Sequence, residues 1–405
     1  MISTVITLVI AALLFFAPGE NLWGHPSAIF FIITAVSISS IFSLFGIIGL
    51  SLFGSSLQKS EQKITPGVID LYLHDPRIRI GKMLLTLFFP VTLFLLVLFY
   101  RSDFLHPVYY IAIWIIYSGI ALDALRYCFS KTARYSDPVA VIGMMNEQSR
   151  NFTGEADFFN RIENFSEIAY KATDRMSLGV GIAAIDSFYT TCQSYLEKIK
   201  KSSEKNSPDK EGVGYFLFYL FERMELINKK ALGEGIEPIC SKLITTLGKI
   251  ALECNKYDSA FTGFPLREIE KFSFEAGQSG MGIVREKGTC TLLETAKIML
   301  EQHDIHYVNL KDPFFCMLSI LEKIAQSSFR EDKSQNISLL NQPFRELKAL
   351  VESPKLAEHK DKGPLLAEIG RIIDQFEQLE IVMRTIPPVA IKKDKDDAQK
   401  ETEKS

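Results

Sequence analysis

The chain has 405 residues, a formal net charge of −3, and a composition that is 47% hydrophobic and 23% charged. A net charge this small gives no sign of a nucleic-acid partner or of an acidic substrate. The averages conceal two unlike halves, because long apolar runs precede residue 126 and most charged residues follow it. We therefore predict an all-α protein with a four-helix transmembrane domain over residues 1–130 and a cytosolic helical domain over residues 137–386.

The first two predicted spans cover residues 2–17 and 27–53. The first is interpreted as a retained helix. A cleaved signal peptide is the alternative, but it would need a basic start, and no Lys or Arg precedes Lys59. The second span carries no charged residue and exceeds the roughly 20 residues that cross a bilayer. Small residues at spacings of three and four give it one face for close helix packing: Ala35, Ser39, Ser43 and Gly46.

The third and fourth predicted spans cover residues 83–100 and 108–125. Pro90 should kink the third, which neighbouring helices tolerate in a membrane. Aromatic residues such as Trp114 near the start of the fourth fit the interfacial belt. Acidic and basic residues are missing from the middle of all four spans, which argues against a proton-coupled transporter but leaves open a channel lined by hydroxyl groups.

Basic residues cluster in two of the connecting regions and determine the predicted orientation. One cluster lies between the second and third spans, and the other follows the fourth span as Arg126, Lys131 and Arg134. The two remaining loops contain only Arg101. Because Lys and Arg stay on the cytoplasmic side, we predict a multi-pass inner-membrane protein with both termini in the cytoplasm.

The loop over residues 54–82 is predicted to contain a short interfacial helix. Thr65-Pro66 suits a helix start, an amphipathic stretch follows, and Asp75-Pro76 ends it. The basic residues of this loop would then meet lipid phosphates. A site for a ligand or a soluble anion is the alternative role for the same five residues: Lys59, Lys63, Arg77, Arg79 and Lys82.

This loop carries a resemblance to a known family. The run from Ser51 through Gln58, Thr65-Pro66, Leu73, Asp75 and Gly81 resembles a signature of uncharacterised bacterial predicted membrane proteins, described as a domain of unknown function. The segment 172–179, followed by 183–186, is similar to a second stretch of that family. The family usually has Pro and Asn-Asp-Pro after the serine of that stretch, where this chain has Leu178. The resemblance implies N-terminal membrane helices with a soluble C-terminal part, and no chemistry.

The second half reads as helical throughout, since apolar residues recur at helical spacing. Four five-residue segments begin with Ile or Leu, end with Ala and contain a Lys in between. Their spacing is irregular, at roughly 40 to 60 residues per unit. Glycines after two of the helices suit C-caps: Gly233, Gly235, Gly277, Gly280 and Gly282. Stacked helical hairpins fit this pattern better than one bundle, and chance similarity among Ala-rich helices is the alternative. The four segments are 168–172, 227–231, 247–251 and 321–325.

Candidates for chemistry in this half are few. His303 and His306 could share a metal, but no further ligand lies nearby in the sequence. The segment 277–282 is Gly-rich but lacks the lysine of a phosphate-binding loop. The six cysteines are scattered, which favours reduced, buried thiols. We therefore predict no catalytic residue, no metal and no cofactor.

A seam of apolar residues at spacings of three and four precedes Pro387-Pro388, and residues 387–405 are predicted to form a disordered charged tail. The seam packs either against the preceding helices of the same chain or against a second copy. Its residues are Leu365, Ile369, Ile372, Phe376, Leu379 and Met383.

Taken together, these patterns favour a membrane-tethered scaffold or sensor that acts by binding. Its expected partners are the lipid bilayer and either a cytosolic protein or a second copy of the chain, with no nucleic acid. An oligomeric channel or transport component is the second hypothesis. An enzyme comes third, because no catalytic constellation is recognised. Whether the first span is cleaved is left open by the sequence.

Overall fold

A computed structural model of the chain describes residues 34–41, 44, 46, 48, 49, 68–101, 107–149, 154–203, 210–301, 309–331, 337–356 and 358–385. Within these ranges the chain forms helices and turns and contains no strand, which confirms the all-α class. The chain divides into two compact units, Met1–Met145 and Asn146–Ser405. The division therefore lies after residue 145, whereas the second domain is predicted to start at residue 137.

The first unit contains an apolar helical hairpin. Residues 34–41 are helical. Among the described residues, the next helices are α1 (Val68–His74), α2 (Pro76–Arg101), α3 (Pro107–Tyr135) and α4 (Pro138–Ser149). The division between the two units falls within α4. Helices α2 and α3 pack together in antiparallel fashion. The indole of Trp114 donates to the hydroxyl of Thr92 at 3.2 Å, and the hydroxyl of Tyr117 donates to the carbonyl of Leu84 at 3.4 Å.

Two of the four predicted spans are present as long apolar helices. The described residues contain two helices long and apolar enough to cross a membrane, Pro76–Leu98 and Tyr109–Tyr135. The predicted spans 83–100 and 108–125 fall within α2 and α3, and α2 continues through Pro90. The predicted span 2–17 lies outside the described residues, and the span 27–53 is described only in part. A four-helix membrane domain is therefore supported for two helices only.

The second unit is made of paired helices. Among the described residues, nine helices follow α4, with 3₁₀ turns at Ser259–Phe261 and Pro354–Leu356. They are α5 (Glu155–Asp174), α6 (Leu178–Ser203), α7 (Lys210–Gly233), α8 (Glu237–Tyr257), α9 (Gly263–Gln278), α10 (Gly282–Glu301), α11 (Lys311–Glu331), α12 (Ile337–Val351) and α13 (Lys362–Thr385).

These nine helices form two layers. Helices α5, α7, α9, α11 and α13 pack side by side in one layer, which we call the odd layer. Helices α6, α8, α10 and α12 form the even layer in the same way. Fully buried Phe165, Phe188 and Phe272 contribute to the core of this unit. The arrangement is the predicted stack of helical hairpins, in which each pair contacts its neighbours.

Three of the turns that lead from the odd layer to the even layer have the same hydrogen bonds. The N–H groups of Ser177, Ile236 and Met281 donate to the carbonyls of Ala172, Ala231 and Ala276, each at 2.8 Å. The residue before each donor has a positive φ, at Met176 (55°), Gly235 (71°) and Gly280 (77°). This is the Schellman motif, which ends a helix with a left-handed residue.

The shared motif explains part of the pattern seen in the sequence. The segments 168–172, 227–231 and 321–325 all lie in helices of the odd layer, and the first two end at the alanines that accept the Schellman bonds. The segment 247–251 lies in α8, in the other layer, so its similarity does not reflect the same structural position. Gly235 and Gly280 lie at positions that were predicted as C-caps. The equivalent position in the first turn is Met176, and because it is not a glycine the sequence did not predict a C-cap there.

These turns give a stability prediction with a matched control. Replacing Gly235 or Gly280 with alanine should lower the free energy of unfolding by about 1–2 kcal/mol, because a side chain disfavours the left-handed conformation. Met176→Gly should raise it by about 1 kcal/mol or less, since glycine also loses more entropy on folding. Gly233→Ala is the control, because a Cβ there contacts nothing within 4 Å and its φ is not positive. Thermal denaturation of the full chain in detergent would measure these differences. Equal effects of Gly233→Ala and Gly235→Ala would contradict the explanation.

Candidate functional site

The corner between α1 and α2 is fixed by Asp75. One carboxylate oxygen of Asp75 accepts a hydrogen bond from the N–H of Arg77 at 2.9 Å, which satisfies one of the free N–H groups at the start of α2. The other oxygen accepts from the hydroxyl of Tyr135, at the end of α3, at 3.2 Å. Both oxygens of Asp75 are therefore used to join α1, α2 and α3, and the sequence signal Asp75-Pro76 marks this corner.

Tyr72 and Lys82 complete the base of the hairpin. The rings of Tyr72 and Tyr135 meet edge to face with centroids 5.7 Å apart, and both residues are buried. The Nζ of Lys82 lies 4.3 Å from the centroid of the Tyr72 ring, within the range of a cation–π interaction. Lys82, predicted to meet a lipid phosphate or an anion, is thus held by an aromatic ring.

Arg77 and Arg79 are the exposed members of the predicted basic set. Both side chains are exposed in the first turn of α2. Large apolar residues around them are exposed as well, at 53% for Leu73, 58% for Ile80 and 62% for Met83. Apolar side chains beside guanidinium groups suit a membrane interface, where arginine can bind a phosphate with two hydrogen bonds. Lys59 and Lys63 lie outside the described residues.

The sides of the hairpin are apolar and exposed. In the membrane-length windows of α2 and α3, only 22% and 28% of the residues are buried. A core helix of a soluble protein would be mostly buried, because it is covered by its own chain. Exposed large apolar residues line both helices: Leu87, Leu93, Phe94, Val97, Ile113 and Leu122.

Hydroxyl groups in the hairpin bond to the backbone of their own helices. Thr86 donates to the carbonyl of Lys82 at 2.9 Å, Thr92 to that of Phe88 at 2.8 Å, and Ser118 to that of Trp114 at 2.8 Å. This is the common arrangement of hydroxyls in membrane helices. Each of these three hydroxyls therefore donates its hydrogen bond to a backbone carbonyl. In a hydrated pore, hydroxyl groups of the lining would instead bond to water or to the permeating ion.

The predicted small-residue face of the second span is described in part. Ala35 and Ser39 are buried, and the hydroxyl of Ser39 donates to the carbonyl of Val36 at 3.1 Å. A Cβ on Gly46 would lie 3.5 Å from Leu85 and 3.7 Å from Leu125, so this glycine faces α2 and α3. Ser43 lies outside the described residues.

The second unit contains an apolar groove between α10 and α12, with α11 beneath it. Its volume is about 380 Å³. Apolar side chains from the three helices line it, among them Leu293, Ile324 and Leu339. The exposed carboxylates Glu286 and Glu346 lie at its rim. The groove depends on contacts between helices that are distant in the sequence, and no local pattern predicted it.

Cys290 is an exposed thiol in this groove. Beside it, the guanidinium of Arg285 forms an ion pair with Glu331 and is therefore partly neutralised. All six cysteines are free, and Cys128, Cys192, Cys240 and Cys254 are buried. Burial raises the pKa of Cys240 to about 12, which keeps it a thiol rather than a thiolate.

Ion pairs connect successive helices of the odd layer. In each pair the carboxylate is on the earlier helix and the basic group is on the later one. The pairs are Glu163–Arg223 (2.8 Å), Glu225–Lys271 (2.5 Å), Glu270–Lys323 (2.7 Å) and Glu322–Arg371 (3.2 Å). Hydrogen bonds from Lys229 and Lys271 hold the pKa of Glu225 below its ordinary value. Each of these partly exposed ion pairs adds little stability. Together they favour the observed order of helices within the odd layer.

The predicted apolar seam packs largely within its own chain. Four of its residues are buried: Leu365, Ile369, Ile372 and Phe376. The ring of Phe376 stacks on that of Phe344 in α12, with centroids 5.7 Å apart. Leu379 and Met383 are half-buried near the end of α13. Within the chain, α12 thus covers part of the face that a second copy would need.

The remaining candidates for chemistry do not come together. His303 and His306 lie outside the described residues. The Gly-rich segment 277–282 forms the third Schellman turn. His359 is buried, and its Nδ1 accepts a hydrogen bond from the N–H of Asp361 at 3.1 Å, which makes it part of a loop. Among the described residues there is no group of three or more His, Cys, Asp or Glu that could hold a metal ion.

Comparison with known proteins identifies one structural likeness. No family model matches the chain, and no curated protein matches it. A solved structure described as a circular tandem repeat protein with novel repeat topology and enhanced subunit contact surfaces aligns with 87% of this chain and 84% of its own. The TM-score is 0.38 and the sequence identity is 13%.

Proposed function

We propose that this protein is an integral membrane protein that acts as a tethered scaffold or sensor. The hairpin of α2 and α3 serves as its anchor, and the second unit binds a partner. One observation carries the proposal: in two helices of membrane-spanning length, only 22% and 28% of the residues are buried. Burying such surface in lipid is favourable, whereas leaving it in water is not.

The second unit suits binding rather than catalysis. Stacked helical hairpins present extended faces on which side chains from several repeats act together. This unit has a well-buried core, so its exposed surfaces are free for a cytosolic partner. The groove between α10 and α12 is one such surface.

The proposed orientation follows from charges at one end of the hairpin. Arg77 and Arg79 lie at the start of α2, while Arg126, Lys131 and Arg134 lie near the end of α3. Because the helices are antiparallel, these residues are at the same end. That end would face the cytoplasm of a cell with an inner membrane, and with four spans both termini would lie on that side.

A channel formed by an oligomer is the alternative function. The hydroxyls of Thr86, Thr92 and Ser118 bond to their own helices, and this favours the anchor over the pore. Recording from the purified full chain in planar bilayers tests the choice. Reproducible single-channel currents would support the channel instead.

The tether itself is tested by extraction and by cysteine labelling. The full chain should stay in the membrane pellet after treatment with alkaline carbonate. In a Cys290→Ser background, an impermeant maleimide added outside should label Asn21→Cys and Ser102→Cys but not Ser60→Cys or Ser203→Cys. Release by carbonate would overturn the anchor. Outside labelling at position 60 or 203 would overturn only the orientation.

A further inference from the structure

The groove between α10 and α12 has features of a binding site for an extended apolar segment with a basic end. Apolar side chains from all three helices line it, with Leu293, Ile324 and Pro343 among them. The carboxylates of Glu286 and Glu346 are exposed at the rim, while the nearby cation Arg285 is paired with Glu331. The uncompensated charge at the rim is therefore negative, and it favours a positively charged partner.

The chain contains a segment of this kind directly after α13. Residues 386–393 read Ile-Pro-Pro-Val-Ala-Ile-Lys-Lys, with apolar side chains first and two lysines at the end. The two prolines cannot continue the helix, and they favour an extended backbone. The segment thus offers apolar side chains for the apolar lining of the groove and two lysines for its exposed carboxylates.

The position of α13 brings this segment to the correct end of the groove. Lys362 at the start of α13 donates to the carbonyl of Glu352, beyond the end of α12, at 3.5 Å. Near the start of α12 and in the middle of α13, Asn341 lies beside the carbonyl of Ile373, also at 3.5 Å. The helices are therefore antiparallel, and Thr385 lies beyond the first turn of α12. That turn carries Leu339 and Leu340, which line the groove.

The distance is within the reach of the segment. An α-helix with its side chains is about 10–12 Å across, and α13 packs against α12, which forms one wall of the groove. Eight extended residues span at most roughly 26–29 Å. The last turns of α13 also have exposed apolar side chains, at 64% for Ile381 and 52% for Val382, which continue the apolar surface toward the segment.

We propose that residues 386–393 dock in the groove between α10 and α12, so that the chain covers its own binding surface. An external partner would then have to compete with this segment, as in other autoinhibited binding proteins. The inference concerns the second unit alone and does not depend on the membrane anchor.

Cys290 provides a direct test, because it is an exposed thiol in the groove. Its rate of alkylation by a bulky maleimide is measured by mass spectrometry, in the full chain and in a chain that ends at Thr385, under identical detergent conditions. If the segment occupies the groove nine-tenths of the time, removing it should speed alkylation about tenfold. A synthetic peptide of residues 386–393 should slow alkylation of the shortened chain again, and this effect should saturate.

Substitutions in the full chain separate docking from a general change in the fold. Val389→Asp together with Ile391→Asp should speed alkylation of Cys290 as the truncation does. Ala398→Asp together with Gln399→Asp, which adds the same two charges farther along the tail, should leave the rate unchanged. Cys316, half-buried in α11, serves as an internal reference. If truncation speeds the alkylation of Cys316 as much as that of Cys290, the shortened chain has a loosened fold. The double substitution in the full chain then decides whether the segment covers the groove.

Two results would overturn the proposal. Equal alkylation rates of Cys290 in the full and the shortened chain would show that the segment does not cover the groove. Protection that persists in the shortened chain and increases with protein concentration would show that a second copy covers it instead. Neither result bears on carbonate extraction, so failure of this inference is distinguishable from failure of the membrane anchor.

Discussion

Replacing Phe94 with arginine is expected to prevent stable insertion of the α2–α3 hairpin. Phe94 lies in the second half of α2, and its side chain is 61% exposed, on a surface that we assign to lipid. An arginine near the centre of a membrane helix costs about 2.5–3.5 kcal/mol, and the favourable transfer of the phenylalanine is lost as well. The fraction of the chain that resists alkaline extraction should fall sharply.

Phe218→Arg is the matched control for this experiment. Phe218 is 67% exposed in α7. Its replacement by arginine makes the same change of size and charge as Phe94→Arg, but outside the hairpin. This variant should remain in the membrane pellet to the same extent as the unchanged chain. If Phe94→Arg is also retained fully, the exposed face of α2 does not contact lipid, and the anchor must be sought elsewhere in the chain.

Phe376→Asp is expected to unfold the hairpin of α12 and α13. Phe376 is only 4% exposed, and its ring stacks on Phe344. Truncating a buried phenylalanine to alanine costs about 3–5 kcal/mol, and a buried carboxylate without a partner adds to this cost. The melting temperature of the full chain in detergent should fall by several degrees, while its mass by light scattering should not change.

The control for Phe376→Asp lies one turn further along the same helix. Ile381 is 64% exposed, so Ile381→Asp should change the free energy of unfolding by no more than about 0.5 kcal/mol. The alternative interpretation of the seam predicts a different result. If Phe376 served mainly to join two copies, Phe376→Asp would dissociate an oligomer and leave the melting temperature of the remaining fold unchanged.

The predicted interfacial helix shows how much a local signal can determine. Asp75-Pro76 was expected to end it, and the structure places α1 at Val68–His74 with α2 starting at Pro76. What the sequence could not predict is that Lys82 meets the ring of Tyr72 and that Asp75 meets Tyr135. Tyr135 is distant in the sequence, and its approach depends on how α3 returns beside α2.

The sequence by itself determined the all-α class, the two long apolar helices α2 and α3, and the glycine turns at Gly235 and Gly280. These features depend on local properties: helical periodicity, the length of an apolar run, and the backbone conformations open to glycine. Only the tertiary structure decided that Met176 adopts the same left-handed turn, that α12 covers Phe376, and that α10, α11 and α12 enclose a groove. The physical reason is that these features result from contacts between helices far apart in the chain, and such contacts leave no periodic signal in any one segment.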